Sequence, residues 1–393
     1  SSRLDQEGRV IPPGRLLRRG ETDRDFLQQL TAGNRNPAES AGDFAAQISA
    51  NRNGLKRLAQ LVDEWGAEPF QRGLDDLNRY GERLARAALE QIPDGDYRFT
   101  DLMDDDGQGN RDIPIQVCLR VRQGEVEVDF SGTADQVAGN INCPLSVAAA
   151  AVFYVFRCLM PPQTPACAGS FRPIRLDAPA GSLLNARRPA AVAAGNVETS
   201  TRVVDAVLGA LGSVLPEQIP AASHGSMNNL AMGSDGPAPW DYYETIGGGM
   251  GAGAKAAGLS GVQTHMTNTL NTPIEVLETR FPLRIARYAL RSGSGGAGRH
   301  AGGDGLIREF EFLAPAQVSL LTERREHRPW GIAGGAPGTA GRNLLDGAPL
   351  PGKASLRVRA GQRLRIETPG GGGWGNAPAG MAGPSADRLT EAD

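Results

Sequence analysis

The chain has 393 residues, 40% hydrophobic and 22% charged, with a formal net charge of -3, a composition within the range of folded globular proteins. That charge excludes a nucleic-acid binder working through a clustered basic face, and the length predicts two or three lobes, because single cores stop growing in this size range. The longest apolar run, residues 146–160, is broken by Arg157, is shorter than the roughly 20 residues a bilayer requires, and is followed by Pro161 and Pro162, so no membrane helix is expected. Cys118, Cys143, Cys158 and Cys167 show no C-x-x-C spacing and the first residues carry no secretory pattern, which predicts a reducing, cytoplasmic setting. The 52 glycines and 27 prolines lie mainly between periodic segments and predict many tight turns.

In chain order, residues 1–20 form a basic, proline-interrupted stretch without periodicity, read as a strand or linker. Residues 22–91 carry a helical pattern. Leu55, Leu58, Leu61, Val62 and Trp65 fall on one face, and Leu74, Leu77, Leu84 and Leu89 on a second helix after a break at 66–69, predicting an antiparallel pair. Alternation in 115–122 and 125–131 around Gln123-Gly124 predicts a β-hairpin. The triple Asp104, Asp105, Asp106 lacks calcium-loop spacing and reads as a solvated turn. An apolar helix over 147–159 is expected to be buried, followed by short strands at 174–178 and 190–194 and a helix whose start holds Asn196, Glu198, Thr199 and Ser200. Strands are predicted in FPLRIARYAL, LIREFEFL, QVSLLTER, ASLRVRA and QRLRIETPG, and the Ala/Gly/Pro/Ser-rich end from Asn376 is expected to be disordered. The fold class is therefore α+β: an N-terminal helical segment (1–92), a mixed α/β core with buried helices (93–290), a β-rich C-terminal region (291–375) and a tail (376–393).

Residues 241–278 concentrate the chemistry. Seven glycines, Gly247, Gly248, Gly249, Gly251, Gly253, Gly258 and Gly261, can admit positive φ and bring backbone N–H groups against a ligand, between predicted strands at 242–246 and 262–266. The spacing Gly247-x-Gly249-x-x-Ala252 follows a strand but opens no amphipathic helix, which excludes a dinucleotide turn, and no Gly-Lys-Ser/Thr ends the run as a Walker loop requires. Of four histidines none pairs at metal-ligand spacing; His224 and His265 sit among small polar residues, whereas His300 and His327 lie among arginines. Ser226 is outside a G-x-S-x-G elbow.

The strings AQISANRNGLKRL, GNVETSTRVVDAVLGAL, SHGSMNNL, YYETIGGGMGA, VQTHMTNTLNTPIEVLE, SGGAGRHAGGDGLIREFEF, PWGIAGGAPG and TPGGGGWG, together with the early IPP, resemble the hydantoinase B/5-oxoprolinase family, which also includes the large subunits of acetone and acetophenone carboxylases, over residues 1 to about 375. The resemblance implies a B-type subunit or fragment of an ATP-dependent cyclic-amide hydrolase acting on a species activated by a hydantoinase A-like, ATP-binding partner, in a hetero-oligomer with no nucleic acid and no membrane. The alternatives are a component of an ATP-dependent ketone carboxylase and a non-catalytic assembly subunit. ATP is expected on the partner; a divalent metal occurs in the family, but the upstream Asp-Pro-x-x-Gly-Gly-x-His-like stretch that supplies its ligands is absent from this sequence, which predicts a fragment, a split gene or a processed chain. The residues expected to converge on one pocket are Glu244 or His265 as general base, His224 and Glu198 beside them, and Asn196, Asn228, Asn268, Gly247, Gly248 and Gly249 holding the substrate oxygen or phosphate.

Overall fold

A computed structural model describes residues 1–34, 37–236 and 239–377. From residue 378 the expected disordered tail lies outside the described residues. Two compact units emerge, one from Gly8–Leu84 with Gln163–Phe171, the other from Ser1–Glu7, Ala85–Pro162 and the chain from Arg172 onward.

The first unit is helical. A two-residue hairpin, Leu17–Arg18 with Glu21–Thr22, leads into α1 (Arg24–Thr31), whose free N–H of Phe26 is capped by the Asp23 side chain at 3.1 Å. Helices α2 (Pro37–Trp65) and α3 (Ala67–Leu89) follow, broken at Gly66 with φ +84, where the sequence placed the break. Their expected antiparallel packing does not form. No residue of α2 is buried, and the stripe that reads as a core face stands in solvent, with Leu55, Leu58 and Trp65 each more than half exposed.

Among the described residues the larger unit holds three sheets, built from predicted strands together with three the sequence did not mark, at 229–234, 342–345 and 348–350. One has the order Ala348–Leu350, Arg342–Leu345, Arg363–Glu367, Gly305–Phe312, Leu283–Arg291, and another Lys353–Val358, Ala316–Leu321, Asn229–Ser234, Trp240–Glu244. Leu230, Met232, Leu306, Phe310, Val318, Leu320, Leu364 and Ile366 belong to a single apolar core that these two sheets share, as alternating strands require. The third sheet pairs Gly95–Asp105, Arg111–Arg122, Glu125–Asp129 and, in parallel, Ile174–Asp177. Its hairpin turns at Gln123 (φ 49) and Gly124 (φ 74), the two positive φ values of a type I′ turn. Against this sheet packs α5 (Ser200–Gly212), with α4 (Leu145–Leu159) against α5 in turn. Contact is close enough that a Cβ on Gly209 would lie 2.6 Å from the Phe99 ring.

Three local expectations fail for identifiable reasons. Asp104 and Asp106 are buried, not solvated, because main-chain amides replace water around them: Asp104 accepts from the N–H groups of Arg325, Glu326 and His327, and Asp106 from those of Gln108, Asn110 and Gly139. Residues 190–194 form no strand, since the N–H groups of Val192 and Ala193 go to the Glu7 carboxylate. Residues 262–266 form only a single bridge, Val262 with Gly248, because Gly261 (φ 64) and His265 (φ 56) break the extended run.

Candidate functional site

The glycine run around 247–261 is built differently from the sequence expectation. Of its seven glycines only Gly261 has positive φ; most of the others are glycine because another backbone occupies the space a Cβ would need. A Cβ would lie 1.9 Å from the Gly303 carbonyl oxygen at Gly249, 1.8 Å from that of Ala221 at Gly251, and 1.9 Å from that of Met250 at Gly258. Stretches 221–224, 247–252, 258–261, 294–303 and 369–375 stack main chain on main chain and share their amides: Gly303 donates to Met250, Gly371 to Gly303, Gly296 to Gly371, and Gly372 to Ala222. The N–H groups of Gly248 and Gly249 are spent in the same way, on the carbonyls of Val262 and Pro369 at 3.0 Å each, which leaves neither free for a substrate oxygen. Gly251→Ala is expected to destabilise the fold by about 3 kcal/mol, since backbone cannot yield as a side chain can; the denaturant midpoint measures it.

This stack fixes His224, and His265 lies beyond it on the loop after Gly261. The main chain of His224 donates to the Gly249 carbonyl at 2.8 Å and its side chain lies over Gly248, where a Cβ would be 2.6 Å from His224 Cβ. The imidazole is buried with neither ring nitrogen partnered, and burial, helped by the charge His265 would carry, pushes its pKa down to about 4. His265 is partly exposed; its Nδ1 is 3.5 Å from the Tyr154 hydroxyl, the two rings meet edge to face at 5.9 Å, and Nε2 has no partner. Burial lowers its pKa to about 4 as well. Both rings are therefore neutral at pH 7, each with a nitrogen able to accept a proton.

A stability consequence follows for His224. Its folded pKa lies below the ordinary 6.5, so between about pH 6.5 and 4 the unfolded chain binds the proton that the folded chain refuses, and stability falls on acidification. The difference in unfolding free energy between wild type and His224→Gln is expected to shift in favour of the variant by roughly 3 kcal/mol across that window. Urea titrations at pH 7, 5.5 and 4.5 read it, and a pH-independent difference contradicts it.

Glu198 stands on a π-helical turn, Gly195–Thr199, that opens into α5. Such turns insert one extra residue and redirect a side chain. Its Oε1 accepts from the Met227 N–H at 3.0 Å and from Asn229 Nδ2 at 2.7 Å, while Oε2 has no partner. Burial, reinforced by the nearby Glu323 charge, raises its pKa to about 8, so it holds a proton at neutrality. Asn228, with φ 48, bonds through Nδ2 to the carbonyls of Ser226 and Ile246 and through Oδ1 to Arg325. Every polar atom of that side chain is engaged, and it ties the turn after His224 to the start of the glycine run. Asn196 is exposed, and its main-chain carbonyl accepts from the Ser200 hydroxyl at 2.8 Å.

Glu244 is the main departure from the expected general base. Arg308 grips it at both oxygens, Nε to Oε1 at 2.7 Å and Nη2 to Oε2 at 3.1 Å, and Oε2 also accepts from Tyr242 at 2.7 Å and Asn271 at 3.2 Å, with Glu244, Arg308 and Tyr242 buried. A carboxylate so saturated fixes its neighbours and has little capacity left to take a proton from water. Beside it opens a cavity of about 630 Å³ lined by Gly247, Gln263, Asn268, Asn271 and Tyr288 among others. The expected residues thus fall into three sets: His224 with His265, Glu198 with Asn228 supporting the turn, and Asn268 with Gly247 on the cavity wall. Sequence reading missed Tyr154, Gln263, Tyr288 and Arg308. Arg308 had a signal, a cation inside the otherwise strand-like LIREFEF; Tyr154, inside an apolar helix, had none.

With this geometry in place, the comparisons with known proteins decide the family. The family model for hydantoinase B/oxoprolinase matches residues 1–377. The chain belongs to the hydantoinase B/oxoprolinase family. Among curated relatives, 5-oxoprolinase 1 of Arabidopsis thaliana is 40% identical over 96% of this chain and 31% of its own length, so the chain spans about a third of that relative. Among solved structures, the ATP-dependent caprolactamase from Pseudomonas jessenii superposes with a TM-score of 0.86 at 28% identity, over 95% of this chain and 68% of that one. An acetone carboxylase structure superposes with a TM-score of 0.80 at 15% identity, over 95% and 57%, a likeness of fold.

Behind the site this hydantoinase B/oxoprolinase chain carries a buried ionic network that joins its third sheet to α5. Arg324, at φ 61, bonds both oxygens of Asp101 at 3.2 and 2.7 Å and Asp205 at 2.5 Å; Arg202 lies 3.5 to 3.7 Å from Asp101, Asp205 and Glu323; Lys353 closes on Glu323 at 2.5 Å. Among the described residues no group of three His, Cys, Asp or Glu side chains is placed to hold a metal ion. Nor is any described helix long and apolar enough to cross a membrane.

Proposed function

We propose that this chain is the B-type part of an ATP-dependent cyclic-amide hydrolase and acts on an amide whose oxygen an ATP-binding A-type component has phosphorylated. The observation that carries the reading is the pair of neutral imidazoles, His224 on the glycine stack and His265 against Tyr154, with three ring nitrogens left without partners among the described residues. Its context is a chain 40% identical to a 5-oxoprolinase and 28% identical to a caprolactamase.

An unactivated amide carbon is a poor electrophile because nitrogen donates into the carbonyl. Moving a phosphoryl group onto the oxygen leaves an imidate carbon that water can attack. The water oxygen bonds to that carbon and its proton passes to a neutral imidazole, with His265, the more exposed of the pair, as acceptor. The imidazolium gives that proton to the substrate nitrogen as the C=N electron pair moves onto it; the second water proton then follows through the same imidazole as the hydroxyl closes to a carbonyl, the C–N bond breaks and its electron pair stays on nitrogen as the amine. An acyl phosphate remains, and a second water converts it to carboxylate and inorganic phosphate. Glu198 and Asn228 serve as positioning residues for the turn that follows His224.

The protein carrying this chain, reconstituted with its ATP-binding component, is expected to open 5-oxoproline, hydantoin or a simple lactam with one phosphate released per ring opened. ATP turnover without opening of any of the three refutes the reading.

A further inference from the structure

The cavity beside the His265 loop holds more amide side chain than its own packing uses. Asn271 is fully occupied: Nδ2 donates to Glu244 Oε2 at 3.2 Å and to the Thr245 carbonyl at 2.9 Å, and Oδ1 accepts from the Tyr288 hydroxyl at 3.1 Å. Gln263 is not. Its Nε2 has one long contact, 3.4 Å to the Thr245 hydroxyl, and its Oε1 is buried with no partner. Asn268 faces the cavity, is exposed, and has no side-chain hydrogen bond among the described residues. A buried acceptor without a partner costs roughly 1–3 kcal/mol, so such a group persists where a ligand completes it.

The walls around these two carboxamides are rigid. Arg308, held by Glu244, lies 4.4 Å from the centre of the Tyr288 ring and braces the aromatic face of the cavity from behind. The buried ion pair thereby acquires a purpose that catalysis did not give it: it immobilises Asn271 and Tyr288 on two sides of the space.

A primary carboxamide presents an N–H donor and a C=O acceptor along one edge. An amide closed into a small ring is locked cis, so its own N–H and C=O also share one edge, and the two groups can join through two parallel hydrogen bonds. An open-chain secondary amide is trans and puts donor and acceptor on opposite edges, where one carboxamide cannot reach both. We propose that this cavity is where the substrate's ring amide binds edge-on, with Gln263 reading the N–H and C=O together and Asn268 supplying the second polar contact, so that ring amides are selected over peptide-like ones. The inference rests on the chain acting on cyclic amides and adds the residues and the device that choose them. One lone pair of the substrate oxygen stays free for the incoming phosphoryl group.

The test is equilibrium binding, by calorimetry, of a five-membered lactam and its N-methyl analogue to the protein carrying this chain, which needs no turnover. Wild type is expected to prefer the N–H lactam by roughly tenfold, the worth of one buried hydrogen bond. In Gln263→Met, which keeps length without polarity, the preference is expected to fall to within about twofold, and in the exposed Asn268→Leu both ligands weaken together by roughly fivefold, again one hydrogen bond's worth. No lactam binding, or an equal preference in wild type and variants, overturns the assignment. Binding with this preference but no ATP-dependent ring opening leaves the subsite standing and removes the proposed activity; ring opening without the preference does the reverse.

Discussion

Alanine at position 265 is expected to lower the rate of ring opening by about 10²- to 10⁴-fold in kcat, the usual worth of a general base, with KM little changed. ATP-dependent phosphorylation of the substrate should continue, because that step belongs to the partner component. The variant would therefore release phosphate, by spontaneous breakdown of the activated amide, faster than it forms ring-opened product. His224→Ala is expected to behave similarly, and the double variant little worse than either single one, since two groups sharing one proton path fail together. Tyr154→Phe keeps the edge-to-face ring contact and removes only the hydroxyl 3.5 Å from Nδ1, so its loss should be under about tenfold, the worth of a single hydrogen bond. Both imidazoles are neutral above about pH 4, so the acid limb of the pH-rate profile should fall near that value and not near the 6.5 of a free imidazole. Quenched-flow measurement of phosphate and amino acid in parallel reads all of these.

Arg324→Met is expected to be the most destabilising single change outside the glycine stack, costing about 3–5 kcal/mol. The side chain is buried, and its guanidinium is the direct partner of both Asp101 and Asp205. Removing it leaves two buried carboxylates with Arg202, 3.6 and 3.7 Å away, as the remaining cation within reach of both. Position 324 also sits at φ 61, a region that methionine tolerates no better than arginine, so backbone strain cancels in the comparison. Because Asp101 lies on the third sheet and Asp205 on α5, the loss should appear as a lower unfolding midpoint and not as a local change. A midpoint within experimental error of wild type would show that the network adds nothing to stability.

The α+β layout was legible because its signals are local. Alternation marked 115–122 and 125–131, strand composition marked 306–313 and 362–370, and Gln123-Gly124 marked the hairpin turn. What failed depends on partners distant in sequence. Asp104 looked solvated because nothing near it announces the amides of 325–327 that bury it. The stripe Leu55, Leu58, Trp65 has the period of a core face, and period alone cannot say whether anything covers it. At the site, residue type was read more successfully than role. His224 is placed by main-chain bonding to the glycine stack, and His265 lies close enough for its charge to bear on it, whereas Glu244 is committed to Arg308 sixty-four positions away. Glycines 248, 249 and 251 stand out in the sequence for the freedom of their φ, yet 249 and 251 are needed because another main chain lies where a Cβ would stand, and 248 because the His224 side chain does.

That this chain completes the hydrolysis of an ATP-activated ring amide is decided by one assay without bicarbonate. The reconstituted protein is supplied with ATP and a cyclic amide in ¹⁸O-labelled water, and the product is weighed by mass spectrometry. The expected product is a ring-opened amino acid carrying water oxygen in its carboxylate, formed in step with phosphate. A product that appears only when bicarbonate is added and has gained a carboxyl group, or no ring opening while ATP is consumed, would contradict it.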